Sequence, residues 1–189
     1  MRDGELLERK LPREFYDRDT ILVARELLGK LLIHVSDGVE RIGRIVEVEA
    51  YLGPHDLAAH SSKGLTERTK PMFGPPGHAY VYFIYGMYFC MNVVTEPDGK
   101  AAAVLLRALE PVKNVAVRTQ GPGLLCRAMG IDKRLNAHDL LSNDLYIAAP
   151  LQPEKFTIAK SPRIGVDYAK HWAKRHLRFY VKGNPFVSR

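Results

Sequence analysis

KLLIHVSDGVERIGRIVEVEAY, residues 30–51, reads as two β-strands joined at Asp37-Gly38. An Asp-Gly pair takes the positive φ values that a two-residue hairpin turn demands, and β-branched residues on either side favour extended chain. Side chains alternate along a strand. The second strand therefore places Ile45, Glu47, Glu49 and Tyr51 on one face and Arg44, Val46, Val48 and Ala50 on the other. A sheet begun by such a hairpin is antiparallel from its first pair of strands.

The rest of the chain is read outward from this hairpin. Before it, Asp19 or Thr20 can cap a helix running through Leu28, with Gly29 as its stop. After it, Gly53-Pro54 ends the strand and HDLAAHS forms one or two helical turns. KGLTERTKPMFGPPGH then reads as a Gly/Pro-rich loop of the kind that orders on binding a ligand. AYVYFIY and MYFCMNVV form a second hairpin around Gly86, and Pro97-Asp98-Gly99 turns the chain into a buried strand, AAAVLLRAL. Gly121-Pro122-Gly123 opens a short helix, LLCRAMG, and the remainder divides into short strands and loops. The predicted fold is α+β (mixed α/β). It is a single compact domain, residues 19–189, built on an antiparallel sheet with a protruding hairpin and flanking helices, after a short extension, residues 1–18.

Composition narrows the class. Of the 189 residues 46% are hydrophobic and 26% charged, the balance of an ordinary soluble domain. MRDGELLERK mixes charge signs and has no apolar centre, so no secretory signal is expected. The longest stretch free of Asp, Glu, Lys, Arg and His, residues 79–95, is shorter than the roughly 20 apolar residues that span a bilayer. A soluble, intracellular protein is the expectation. Cys90 and Cys126 lie in apolar runs and read as buried thiols. The seven histidines show no metal-ligand spacing, and no metal or cofactor is expected. Of the formal net charge of +7, all sits in residues 154–189, where nine lysines and arginines face two acids. That segment is either a polyanion-binding face or a solvated basic surface.

Two constellations carry chemistry. Glu47 and Glu49, roughly 6–7 Å apart along a strand, have the spacing of a carboxylate pair that activates water. The alternative is a wet face on which both pair with Arg41 and Arg44. Tyr80, Tyr82, Tyr85 and Tyr88 crowd four of the nine tyrosines around Gly86. Some pack the sheet. Tyr85-Gly86-Met87, however, puts an aromatic and a thioether at a hairpin tip where polar residues are usual, and such a wedge can unstack a base step from the minor groove.

RIVEVEAYLGPHDLAAHS (44–61), MFGPPGHAYVYFIYGMYFCMN (72–92) and AVLLRALEP (103–111) resemble the alkyladenine (3-methyladenine) DNA glycosylase family closely and in order. The likeness continues through GPGLLCRAMGI, PRIGV and LRFYVKGNPFVS and covers nearly the whole chain from about Asp19. The resemblance implies a monomer that acts on double-stranded DNA containing damaged purines. Glu49 would be the base that activates water for attack at C1′. Arg107 and the backbone carbonyl of Ile164 would help hold that water, and no role falls to Glu47. Tyr51, His60 and Tyr82 would form the base pocket, suited to stacking and to the positive charge of an N-alkylated purine. The backbone N–H of His60 would read the purine's 6-position edge. Asn92 would obstruct the 2-amino group of guanine, or else cap a neighbouring backbone group. Tyr85 would fill the hole left by the flipped nucleotide, with Met87 wedging beside it. Arg163, Gly165, Lys170, Lys174 and Arg175 are expected at the DNA backbone.

The loop 63–70 and DYAKHWAKRH (167–176) depart from the family pattern, at places that would touch DNA or the pocket rim. No lysine stands where a Schiff-base nucleophile would, so an intact abasic site is the expected product. Two other readings remain open at this point. One is an O-glycoside hydrolase that needs both Glu47 and Glu49. The other is a non-catalytic module that binds damaged DNA or RNA.

Overall fold

The computed structural model describes residues 8–188. Among them the first strands are β1 (Glu8–Lys10), β2 (Leu31–Ser36), β3 (Val39–Tyr51), β4 (Ala79–Ile84) and β5 (Tyr88–Thr95). They are followed by β6 (Ala102–Lys113), β7 (Leu145–Pro150), β8 (Ile158–Ser161) and β9 (Arg178–Val181). The helices are α1 (Arg13–Tyr16), α2 (Thr20–Leu27) and α3 (Pro122–Met129).

β2 and β3 form the expected hairpin, with Asp37 and Gly38 both at positive φ, 51° and 73°. Every pairing in the sheet is antiparallel, in the order β1-β7-β2-β3-β6-β5-β4. The long strand β3 is its axis. β6 runs along one edge from Ile42 to Tyr51, while the other edge pairs first with β2 and then, at Glu47–Glu49, with β9, which carries β8. The fold is therefore the α+β domain on an antiparallel sheet read from the sequence.

Asp19 caps α2 by accepting the Leu22 N–H at 3.0 Å, and the helix buries Thr20, Val23, Ala24 and Leu27, one face at helical spacing. Gly29 follows at φ 84°, a left-handed backbone conformation that strains any larger residue. Val23, Ala24 and Leu27 pack with Val46 and Val48 of β3 and with Leu125, Cys126 and Met129 of α3 in the main core. Cys90 and Cys126 are both buried and free.

The structure adds detail to three segments read from the sequence. The extension read as residues 1–18 falls partly outside the described residues. Its described part is built into the domain, with β1 paired to β7 and Tyr16 fully buried. HDLAAHS is mostly turn, with a 3-10 helix only over His60–Lys63. The Gly/Pro-rich loop 63–78 folds back on itself through its own hydrogen bonds. Thr69 Oγ1 donates to the Gly64 carbonyl at 2.8 Å, and a 3-10 helix at Lys70–Phe73 buries Met72. No helix among the described residues is long and apolar enough to cross a membrane.

Candidate active site

Strict alternation fails in β3 at the place where the chemistry sits. Register runs Ile45↔Leu109, then Glu47↔Ala108, then Val48↔Leu106, which leaves Val46 unpaired on β3 and Arg107 unpaired on β6. A bulge re-aims the side chains around it. Ile45 thus joins Val46 and Val48 in the main core instead of sharing a face with Glu47. Arg107 is brought against both glutamates, with Nε 3.2 Å from Glu47 and Nη1 3.4 Å from Glu49.

Glu49 is fully buried. Its Oε1 accepts the Tyr51 hydroxyl at 2.9 Å and Arg107 Nη1, and its Oε2 accepts the Ile164 N–H at 2.7 Å. A carboxylate offers about four acceptor positions, so these three donors leave one, and Glu49 lines a cavity of about 420 Å³. Burial, then the Glu49 charge, pushes the Tyr51 phenol well above its ordinary value, so it remains a donor. Burial by itself would lower Arg107, but Glu49 and then Glu47 outweigh it and hold the guanidinium above the ordinary arginine value. The contact seen at Ile164 is its N–H on Glu49, whereas the group expected to hold the water is its carbonyl.

Glu47 is equally buried but fully engaged. Its Oε1 accepts Arg107 Nε, Arg178 Nε at 2.7 Å and Ser188 Oγ at 2.8 Å, and its Oε2 accepts the Ser188 N–H at 2.7 Å. The wet face paired with Arg41 and Arg44 is not what forms. Nor does a pair of available carboxylates, since Glu47 is surrounded by donors.

The cavity wall opposite Glu49 is aromatic. The His60 ring lies 4.4 Å from that of Tyr82, and its Nδ1 is 3.0 Å from the Tyr80 hydroxyl. Asn92 faces Tyr80 across the β4–β5 ladder and donates its amide to the Tyr80 carbonyl at 3.2 Å while lining the same cavity. The backbone-capping alternative and the pocket position are therefore both realised in one side chain. Sequence reading left out Tyr80, Tyr88, Cys90 and Tyr168, which also line the space. The tyrosine cluster was a signal for the first two. Burial, then the Arg68 charge, lowers the His60 imidazole to about 4. The unfolded chain therefore takes up this proton first. The stability due to the neutral ring is complete above about pH 6.5 and is lost as the pH falls towards about 4. Ring-nitrogen NMR of the folded protein is expected to show His60 neutral at pH values where exposed histidines are already protonated.

The second hairpin ends as a wedge. Tyr85 and Gly86 both take positive φ, 55° and 66°, and the Met87 N–H bonds the Ile84 carbonyl. Tyr85 is 82% exposed and Met87 60%. A tyrosine in the left-handed region costs about 1–2 kcal/mol, and nothing within the fold repays it with burial.

One expected DNA contact is corrected. The Arg163 guanidinium is wholly buried, with Nη1 2.6 Å and Nη2 2.9 Å from the Asp56 carboxylate and Nη1 also 2.9 Å from the Ala50 carbonyl. It stacks 4.7 Å from the Tyr51 ring centre and precedes Ile164, so it supports the site from behind and cannot meet a phosphate. Gly165, at φ 74°, lines the cavity. Lys170, Lys174 and Arg175 are exposed on the segment that leaves it. Among the described residues no group of three or more His, Cys, Asp or Glu side chains is placed to hold a metal ion.

The model of the methylpurine-DNA glycosylase family matches residues 14–185. The chain belongs to that family. The methylpurine-DNA glycosylase assignment makes it a DNA glycosylase, a hydrolase of N-glycosyl bonds. Among its relatives is a protein of Legionella pneumophila (strain Corby), provisionally named a 3-methyladenine DNA glycosylase. It is 70% identical over 96% of this chain and 99% of its own length. Proteins of Myxococcus xanthus (strain DK1622) and Alkaliphilus oremlandii (strain OhILAs) carry the same provisional name. They are 50% and 49% identical, each over 95% of this chain, covering 93% and 99% of their own lengths.

Proposed function

We propose that this methylpurine-DNA glycosylase removes alkylated or deaminated purines, 3-methyladenine among them, from double-stranded DNA as a monofunctional base-excision enzyme. The observation that carries the reading is Glu49. It is a buried carboxylate held by three donors, with one acceptor position left at the floor of an aromatic cavity.

The damaged nucleotide is flipped out of the duplex, at an unstacking cost that is smallest for poorly paired bases. Its base lies among Tyr51, His60 and Tyr82, whose faces stack on it and attract the positive charge of an N-alkylated purine. Neutral His60 adds no repulsion to that cation. Asn92 crowds the position that the 2-amino group of guanine would occupy. A water in the remaining acceptor position gives a proton to Glu49, and its oxygen bonds to C1′. The C1′–N bond breaks with its electron pair going to the base, which leaves neutral if it was alkylated and cationic, and leaves as an anion that takes a proton from solvent if it was an uncharged deaminated purine. Deoxyribose keeps a hydroxyl at C1′ and the strand stays intact. No metal or cofactor takes part, and the enzyme works as an intracellular monomer. Tyr85 and Met87 occupy the gap in the duplex. Lys170, Lys174 and Arg175, with the backbone at Gly165, meet phosphates, so affinity falls with salt.

Base release from duplex oligonucleotides carrying hypoxanthine or ethenoadenine, and from methylated DNA, tests this directly. The expected result is free damaged base and an alkali-labile strand that is uncut before alkali. Tyr85→Ala is expected to slow release by about tenfold from a well-paired lesion and less from a mismatched one, since only the flipping equilibrium changes. Tight binding of damaged duplex by the wild type without any release would instead mark a recognition module.

A further inference from the structure

We propose that Glu47, to which the resemblance gives no role, is the positioning residue that keeps Arg107 in place while Glu49 takes up its proton. This rests on the reading of Glu49 as the base.

Arg107 bridges two buried carboxylates from the bulge in β6, with Nε on Glu47 and Nη1 on Glu49. The reaction removes the charge of one of them. Once Glu49 is protonated, its attraction for Nη1 falls to that of a neutral acceptor, and a long side chain at an unpaired bulge position could swing away. Glu47 takes no part in that proton transfer and lies against donors from three residues. Arg178 Nε, on β9, and Ser188, through both its N–H and its hydroxyl, fix the carboxylate at 2.7–2.8 Å. Arg178 is itself held by donation to Ser161 Oγ at 2.9 Å and to the Ser188 carbonyl at 3.3 Å. The anchor for Arg107 is therefore assembled from Glu47 on β3, Arg178 on β9 and Ser188, three residues that do not line the cavity. Two guanidiniums and two carboxylates also balance in charge, so Arg107 does not press on Glu49 alone.

Glu47→Gln puts an amide N–H2 against the Ser188 N–H or against a guanidinium and removes the charge. The expected result is loss of the exchange-protected Arg107 Nε–H signal in NMR and base release slowed by about tenfold or more. Affinity for a duplex carrying an abasic-site analogue should stay within about twofold of wild type. Ser188→Ala keeps the charge and the backbone bond, removes one donor to Oε1, and is expected to slow release by about threefold without weakening binding. It decides the matter should Glu47→Gln not fold. Wild-type release per folded molecule in the variant that folds, or a loss of rate matched by loss of folded protein in melting curves, overturns the proposal alone. A wild type that releases no base overturns the reading of the site and this proposal with it.

Discussion

Glu49→Gln is expected to reduce single-turnover base release by about 10²–10⁴-fold while leaving the protein able to bind damaged duplex. The glutamine has the shape of the carboxylate but cannot accept a proton from water. Its single carbonyl oxygen also cannot serve Tyr51, Arg107 and Ile164, which now share two oxygens, so at least one of these donors faces an amide N–H2. The first effect acts on the chemical step and the second on the placement of the side chain. Release from a hypoxanthine-containing duplex, read with binding to an abasic-site analogue, separates them. A variant that binds as wild type and does not release base has lost the proton acceptor. Release at the wild-type rate would move the base to another group. Glu47 could not readily replace it, because every oxygen of Glu47 already accepts from a guanidinium or from Ser188.

What the sequence disclosed and what it hid divide along one line. Features set by neighbouring residues were legible. Asp37-Gly38 needs no distant partner to turn a hairpin, and Asp19 caps α2 through a residue three positions on. The antiparallel sheet follows once that hairpin is accepted. The bulges at Val46 and Arg107 were not legible, because a bulge depends on the partner strand and RIVEVEAY alternates perfectly when read by itself. That is why Ile45 was placed on the wrong face. Arg163 was read as a phosphate contact because it lies in the basic part of the chain, and its partner Asp56 is 107 residues away. The anchoring of Glu47 by Ser188 spans 141 residues. The proposed roles at Glu49, His60 and Asn92 came from the resemblance, since one strand with two glutamates is consistent with several chemistries. The structure adds what a motif cannot express. Two neighbouring glutamates with the same burial differ in how many donors each has, and only one has an acceptor position left at the cavity.

Asp56→Ala is expected to destabilise the protein by about 3–5 kcal/mol, because it strands the buried Arg163 charge. For a chain of this size that corresponds to a melting temperature lower by about 10 °C or more. Both side chains of the pair are fully buried, the contact is bidentate, and Arg163 Nε is already a buried donor without a partner. Asp56 also accepts the Leu52 and Ala58 N–H groups at 3.0 Å each, so it folds the turn that carries the chain from Tyr51 to His60. Arg163 in turn backs the Tyr51 ring and places Ile164 against Glu49. The pair therefore does two things, and a double variant parts them. Asp56→Leu with Arg163→Met removes both charges together, and apolar replacement of a buried pair commonly restores most of the lost stability. It restores neither the acceptors for Leu52 and Ala58 nor the guanidinium behind Tyr51. The double variant is expected to melt closer to wild type than Asp56→Ala does, yet to release base no faster per folded molecule. Recovery of excision along with stability would show that the pair only holds the fold. Stability regained without excision would show that it sets the distance between the aromatic wall and Glu49.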